Sequence, residues 1–489
     1  MLKINKINES FVQLDGDYDE LLTISNYFSF YTPNYKWSPK YKAGIWDGKI
    51  RLLNLKNGNL PIGLYPRLKS FCKDLNIKTN INFKKTSINF SEEQIEKYAS
   101  EKLKISYKLR DYQTFGIKTA FKQQKAVILS PTASGKSIIL YVITKLFLDL
   151  NKNSKVLLIV PTVSLVEQMK GDFIEYDENT KISLKDEITT IYSGQEKIWN
   201  KKLIISTWQS LNTITDKKIF ESFGCVLVDE VHSAQKAVII KSIIEKCSLA
   251  QMKIGVSGTI DDEKISRIQL EGLFGKIHQF TTTKKLIKNK TLSNLKINIF
   301  HLKYPDECRR VAYKLTYFDE MSYLVDSELR LEFLLKIIKT INKNILILFK
   351  HLKYGKLIYE RLKENIPDRN IYYVAGSTKS EIRENVRKLT SIDSNAIVVA
   401  SLGVFATGIN IPGLDYCIFA QPFKSKIKTL QSIGRILRKT HTKSIAYLID
   451  IADDLTWRRK KNYSFKHALE RISIYNKEGF EYKINEKIL

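Results

Sequence analysis

Short, unbroken apolar runs recur through most of this chain. The first series is Ala126-Val-Ile-Leu129, Val156-Leu-Leu-Ile-Val160, Leu203-Ile-Ile205, Cys225-Val-Leu-Val228 and Lys253-Ile-Gly-Val256. The second is Ile345-Leu-Ile-Leu-Phe349, Ile371-Tyr-Tyr-Val374, Ala396-Ile-Val-Val-Ala400, Tyr416-Cys-Ile-Phe419 and Ile445-Ala-Tyr-Leu-Ile449. A strand apolar at every position is buried on both faces. Such strands alternating with helical stretches predict parallel sheets covered by helices. Two series predict two α/β domains in tandem, joined near residues 280–300. The pattern before residue 98 differs. Aromatic and turn residues cluster in Phe28-Ser-Phe-Tyr-Thr-Pro-Asn-Tyr-Lys-Trp-Ser-Pro39, and Asp47-Gly48 lies between aromatic or β-branched stretches, a hairpin signal. A helix is expected over Tyr65–Leu75, and the whole segment reads as a small α+β domain. The expected parts are 1–98, 99–285, 286–454 and a helical C-terminal extension, 455–489.

The chain has 489 residues, 43% hydrophobic and 27% charged, the profile of a globular protein with room for about three domains. No apolar run approaches the ~18 residues of a membrane span. The first residues alternate polar and apolar with no signal-like apolar stretch, so the expected site of action is the compartment of synthesis, without a membrane. Five cysteines form no Cys-x-x-Cys pair and six histidines show no ligand spacing, so neither a disulfide framework nor a zinc site is supported. Cys225 and Cys417 sit in apolar runs and read as core residues. Eighty Lys+Arg against 51 Asp+Glu leave a formal charge of +29, which points to a polyanion, most directly nucleic acid. An AT-rich coding bias toward Lys, Ile and Asn would raise the same number, so the motifs decide.

Three segments in fixed order carry the chemistry. Ser130-Pro-Thr-Ala-Ser-Gly-Lys-Ser137 follows an apolar run and opens an expected helix, Ser137–Leu148, the setting a phosphate-binding loop requires. The backbone N–H groups of Pro131-Thr132-Ala133-Ser134-Gly135 and beyond can wrap phosphates (Pro131 itself donates none), Lys136 can pair with them, and the Ser137 hydroxyl can ligate Mg2+. Ser130 stands where the usual first glycine would, so a coincidental turn before a buried helix is the alternative. Asp229-Glu-Val-His232 ends another apolar run, and carboxylates at the C-terminal end of a parallel strand sit where ligands bind. Asp229 can hold the metal and Glu230 can orient and deprotonate water; an acidic turn is the bland reading. Gln431-Ser-Ile-Gly-Arg-Ile-Leu-Arg438 places Arg435 and Arg438 three apart, on one face of a helix, either as arginine fingers or as a solvated basic face.

These segments, in this order, resemble the superfamily 2 helicases of DExH type over residues 108–450. Arg110-Asp-Tyr-Gln113 is similar to the adenine-reading segment, which implies base contact by Gln113. Pro161–Gln168, Ser206–Ser210, Ser257-Gly258-Thr259, Phe349–His351, Ala400–Asn410 and Gln431–Arg438 resemble motifs Ia, Ib, III, IV, V and VI. By that resemblance Arg110, Gly408 and Gln431 join the nucleotide site, and His232 with Ser257-Gly258-Thr259 relays nucleotide state to the strand. Thr162, Thr207, Lys350 and Thr407 are the implied phosphate contacts of the nucleic-acid track. The segment Gly44-Ile-Trp-Asp-Gly-Lys-Ile-Arg-Leu52 is similar to the first domain of the recombination and repair helicases of tailed phages.

The resemblance implies two tandem RecA-like motor domains, ATP and Mg2+ as cofactors, and ATP-dependent unwinding or branch migration of branched DNA: Holliday junctions, stalled forks, D-loops and R-loops. It further implies a monomer in the cytoplasm of an infected bacterium, acting on branched and single-stranded DNA or RNA–DNA hybrid, with single-strand-binding or recombination proteins as partners. An RNA helicase, or a duplex translocase that separates no strands, fits the same motifs. A basic scaffold with a dead nucleotide fold does not, because Lys136, Asp229, Glu230, Arg435 and Arg438 are all present.

Lys36, Trp37, Lys49 and Arg51 interleave aromatic and basic groups, which suits unpaired nucleic acid. The alternative is that Trp37 and Trp46 form the core of a small β-rich domain. Trp457-Arg-Arg-Lys-Lys461 reads equally as a phosphate patch or a solvated helix end.

Overall fold

The computed structural model describes every residue except 84–86, 181–182, 236–237, 261–262, 408–410, 412 and 440–442. The chain divides into two compact units, Met1–Ser130 with Gly135–Phe280, and Thr281–Leu489 with Pro131–Ser134.

The first unit begins with a four-stranded sheet in the order Asn59–Pro61, Phe11–Asp15, Leu2–Lys6, Thr79–Ile81. Its alternate residues Leu2, Ile4, Val12 and Leu14 pack with Ile24, Leu64 and Leu68 from helices and turns on one side. The expected helix is present as Tyr65–Asp74. The hairpin expectation needs correction. Ser29–Tyr31 and Lys49–Arg51 do pair antiparallel, but 32–48 form a long connection containing the helical turn Pro39–Lys42. Asp47-Gly48 is the entry to the second strand rather than a two-residue turn. Gly48 adopts φ 82° there, and the Tyr35 ring lies where a Cβ would project.

The rest of this unit is a seven-stranded, all-parallel sheet in the order Ile277–Gln279, Lys125–Leu129, Met252–Ser257, Phe223–Asp229, Lys155–Val160, Leu203–Thr207, Ile188–Ile191. Its apolar runs are continuous because both faces are covered. Ile128, Leu158, Leu227 and Ile254 enter one core with the helix Lys136–Leu150. Val127, Leu157 and Val226 enter the other. The two edge strands were not expected from sequence: Ile-Thr-Thr-Ile and Ile-His-Gln are too short and too polar to read as buried runs.

The N-terminal module is keyed to the start of this sheet. Glu9 Oε2 pairs with Lys125 Nζ at 2.6 Å, and the buried Lys253 Nζ donates to Ser10 Oγ (2.7 Å) and the Ile244 carbonyl (2.9 Å). Lys125 and Lys253 are register partners at the beginnings of adjacent strands. Arg67 pairs with Glu271, and Gly63 lies against the backbone of Glu271–Gly275 so closely that no Cβ fits. The module therefore docks at the edge opposite the strand ends that carry Asp229 and Ser257.

The second unit is another seven-stranded parallel sheet, in the order Ile371–Val374, Ile397–Ser401, Ile345–Phe349, Tyr416–Phe419, Ile445–Asp454, Asn294–Lys303, Tyr482–Ile488. The last two strands alternate buried and exposed positions or lie at the edge, so the buried-run signal misses them. The C-terminal extension is thus only partly helical. Its helix Tyr463–Glu478 is followed by Tyr482–Ile488, which pairs with Asn294–Lys303. Arg471 pins that helix to the sheet. It donates to both Asp450 oxygens and to the Phe423 carbonyl (2.6 Å), while Tyr475 Oη donates to Asp450 at 2.7 Å. A buried pair of this kind is tolerated because every polar atom finds a partner. No helix among the described residues is long and apolar enough to cross a membrane.

Candidate nucleotide site and nucleic-acid track

The loop after Lys125–Leu129 takes its shape from two left-handed residues, Ala133 (φ 65°) and Gly135 (φ 81°). Ser134 N donates to the Pro131 carbonyl at 3.1 Å, and Ser130 N donates to the Ser257 carbonyl at 2.9 Å. The helix Lys136–Leu150 starts at once, so its unpaired N–H groups face whatever the loop encloses. A Cβ on Gly135 would stand 2.6 Å from Gln113 Nε2, so a side chain there would displace the Gln113 amide, and the positive φ favours glycine in any case.

Asp229 closes its strand, and Glu230 follows in the left-handed region (φ 49°), a strained conformation for a side chain other than glycine. That turn aims Glu230 at three partners. Its Oε1 is 3.4 Å from Lys136 Nζ, and its Oε2 is 3.2 Å from His232 Nδ1 and 3.1 Å from Ser257 Oγ. His232 Nδ1 is also 3.0 Å from Ser257 Oγ, and Ser257 Oγ is 2.7 Å from the Thr259 carbonyl. The structure thus brings together Lys136, Glu230, His232, Ser257 and Thr259 from three segments. Gly258 lies within this turn. Burial and the adjacent Glu230 charge push the Asp229 carboxyl up to about 6. Burial opposes ionisation of Glu230 too, but Lys136 and His232 overcome it and hold that carboxyl well below the usual range.

Ser137 Oγ lies 2.9 Å from Tyr176 Oη, a residue near the end of the helix Val163–Asp177. Sequence reading missed Tyr176, since no motif contains it and 39 residues separate the partners. Ser137 and Asp229 supply a hydroxyl and a carboxylate at the same sheet edge. That hard-oxygen set fits Mg2+, which takes few protein ligands and the remainder from phosphate and water.

Gln113 is only 3% exposed, and its Oε1 accepts from Arg110 N at 2.9 Å, capping the helix Asp111–Gln123. Arg110 Nη1 donates to Tyr112 Oη at 3.0 Å. Thr162 and Thr207 cap the helices Val163–Asp177 and Trp208–Asn212, accepting from Leu165 N and Ser210 N at 3.4 Å each. The two threonines stand at the C-terminal ends of neighbouring strands, beside helix N-termini able to bind phosphate.

In the second unit, Lys350 follows the strand Ile345–Phe349, with its backbone N–H, and that of His351, donating to Gln421 Oε1 (2.7 and 2.8 Å). Gln421 was another residue without a sequence signal. Gln431 is buried in the helix Lys426–Ile436, and the Arg435 guanidinium lies 5.3 Å from the Phe405 ring centroid. The same-face expectation fails for Arg438. The helix stops at Ile436, so Arg438 lies beyond it on a different backbone path. Thr407 ends the helix Leu402–Thr407, and Gly408 lies outside the described residues.

In the N-terminal module Trp37 is 76% exposed, against the core alternative, with Lys42 Nζ 5.5 Å from its ring. Lys36 is exposed beside it. Trp46 is half-buried and donates to the Lys49 carbonyl at 2.8 Å. Lys49 Nζ sits 4.9 Å from the Tyr31 ring, and Arg51 is held by Asp47.

Residues 2–82 match the family described as DNA helicase UvsW, N-terminal; 106–262 match Type III restriction enzyme, res subunit; 329–440 match Helicase conserved C-terminal domain. The chain is 33% identical to the ATP-dependent DNA helicase uvsW of Enterobacteria phage T4, over 98% of both chains. The crystal structure of T4 UvsW superposes with a TM-score of 0.51 at 30% identity, covering 100% of this chain and 99% of that one. A more distant relative, the DNA 3'-5' translocase XPB2 of Sulfurisphaera tokodaii, is 24% identical over 76% of this chain and 87% of its own. The fold, with its two parallel sheets and preceding α+β module, agrees with these matches. The chain belongs to the UvsW family of ATP-dependent DNA helicases.

Proposed function

We propose that this helicase uses ATP hydrolysis to remodel branched DNA — Holliday junctions, stalled forks, D-loops and R-loops — in phage recombination, repair and replication. The observation that carries this reading is the N-terminal module. It presents Trp37, Lys36 and Lys42 to solvent, yet it is fixed to the motor sheet through Glu9–Lys125 and Ser10–Lys253. A second nucleic-acid surface held rigidly to a motor suits a substrate with more than one arm.

ATP binds the loop 130–137, with Gln113 and Arg110 toward the base. Mg2+, held by Ser137 and Asp229, supplies charge neutralisation on the phosphates. Lys136 cannot serve both Glu230 and a phosphate. When nucleotide draws Lys136 away, Glu230 loses its strongest ionising partner and becomes a better base toward water. Arg435 and Arg438 neutralise the transferring phosphoryl group. Thr162, Thr207, Lys350 and Thr407 contact the strand through its phosphates, which carry no base identity. The parts 1–98, 99–285, 286–454 and 455–489 are the proposed functional divisions, and a monomer in the host cytoplasm is the proposed working form.

The test is steady-state ATP hydrolysis stimulated in turn by single-stranded DNA, single-stranded RNA, duplex DNA and a four-way junction, each beside Lys136→Ala. Strongest stimulation by the junction, lost in the variant, supports the proposal. Stimulation by RNA alone sinks it.

A further inference from the structure

The second motor domain carries a basic and aromatic surface that no helicase motif includes. It stands on the same sheet edge as Lys350. Ile345–Phe349, Ile445–Asp454 and Asn294–Lys303 run parallel, so the segments leaving their ends emerge side by side. After Asn294–Lys303 come two helices, Asp306–Ala312 and Tyr317–Val325. After Ile445–Asp454 comes a tight hairpin, closed by the Trp457–Lys460 bridge.

These pieces are locked to one another. The buried Glu320 carboxylate accepts from Asn462 Nδ2 (2.9 Å), Tyr463 N (2.9 Å) and Ser464 N (2.7 Å), which ties the second helix to the start of Tyr463–Glu478. Arg309 Nε donates to the Thr456 carbonyl at 2.9 Å, and Lys460 Nζ donates to the Tyr313 carbonyl at 2.8 Å. The Arg309 and Arg310 guanidinium carbons lie 5.5 and 5.2 Å from the Trp457 ring centroid. Trp457 is therefore a post within the platform, neither a free ring nor a helix end.

Two features of this base are exposed to solvent. The hairpin tip is Arg458-Arg459, with φ of 45° and 65°, where a two-residue turn of this kind favours asparagine and glycine. Two exposed arginines are held at strained positions, and strain of this sort accompanies function more often than chance. Phe318 is 77% exposed, and Tyr317 beside it reaches Lys350 Nζ at 3.4 Å. The nearby acids Asp306 and Asp319 are taken up by Arg309 and Thr316.

We propose that this platform binds an unpaired DNA strand continuing from Lys350, with Phe318 stacking on a base and Arg458 and Arg459 neutralising phosphates. The proposal rests on the reading of Lys350 as a track residue. Exposed cations alone would suit an acidic protein equally; an exposed ring next to Tyr317, which Lys350 contacts, favours a polynucleotide.

The experiment measures anisotropy of a labelled oligothymidylate, and of a duplex of equal length, across a salt series with the full chain. In Arg458→Gly/Arg459→Gly, affinity for the oligothymidylate should fall about tenfold, and the slope of log affinity against log salt should flatten by about 1.4. Glycine is favoured at both φ values, so the unfolding temperature should not drop. In Phe318→Ala, affinity should fall about fivefold or more with the slope unchanged, as loss of stacking requires. Unchanged oligothymidylate binding in both variants would overturn the proposal, and so would a loss confined to the duplex. Lys350→Ala separates the two readings: if it weakens binding and the arginine pair does not, the track stands and the platform falls.

Discussion

Ser257 Oγ reaches both the Glu230 carboxylate (3.1 Å) and the Thr259 carbonyl (2.7 Å), yet a hydroxyl has one proton to give. It can satisfy only one acceptor at a time, and His232 Nδ1 stands within 3.2 Å of both side chains to compensate. A change in charge at Glu230 can therefore move a hydrogen bond onto or off the backbone of the 257–259 turn. Ser257→Ala should keep ATP hydrolysis within about threefold, while strand separation per ATP falls about tenfold, an amount matching the loss of one hydrogen bond to a charged group. Parallel measurement of phosphate release and unwinding on one substrate checks this. An equal fall in both would remove Ser257 from coupling.

Lys136 and Glu230 should separate binding from chemistry. Glu230→Gln retains the shape and removes the base, so nucleotide should still bind while hydrolysis drops by about 10²- to 10⁴-fold. Lys136→Ala should lose both. Fluorescent-nucleotide titration beside turnover distinguishes them.

Tyr176 Oη lies within hydrogen-bond reach of the Ser137 hydroxyl, and where it accepts that proton the oxygen lone pairs would be free for the Mg2+ proposed above. Burial, only partly offset by that bond, pushes the phenol well above its usual range, so it stays neutral. Tyr176→Phe should raise the Mg2+ concentration needed for half-maximal hydrolysis by about tenfold, with turnover at saturating Mg2+ little changed. Unaltered Mg2+ dependence would limit Tyr176 to packing.

Lys253 provides a pH signature for the docking of the N-terminal module. Burial lowers its pKa from 10.5 to about 8. Between those values the folded protein has shed a proton that the unfolded chain keeps. Stability linked to this group is therefore complete above 10.5 and is lost as pH falls through 8. Among the neighbours, burial raises the Glu245 carboxyl, Lys125 and Lys6 overcome burial to hold the Glu9 carboxyl below its usual value, and burial pushes the Cys247 thiol up to about 12, above this window. Wild type should gain up to about 3 kcal/mol between pH 8 and 10.5 relative to Lys253→Met. Urea unfolding of both proteins across that range reads the difference directly; parallel curves would disprove it.

The two motor sheets were legible in sequence because strands covered on both faces, such as Val156–Val160 and Ile345–Phe349, must be apolar at every position. The phosphate loop was legible because its work is done by consecutive residues: a glycine at positive φ, a lysine and a hydroxyl opening a helix. The interior strand Asn294–Lys303 and the edge strand Tyr482–Ile488 escaped, since half-exposed positions carry polar residues and blur into loop. The one-face placement of Arg435 and Arg438 failed because helical periodicity says nothing of where a helix stops, and this one ends at Ile436.

By itself, then, the sequence determined the order of the motifs, the parallel α/β architecture and the set of candidate catalytic groups, all of which are local patterns of polarity and spacing. Tertiary structure alone decided which distant groups meet. Tyr176 comes to Ser137, Ser10 to Lys253, and Glu320 to the start of the C-terminal helix. Such pairings depend on how packed surfaces bring separate segments within hydrogen-bond reach, and a hydrogen bond falls off within about an ångström of its optimum.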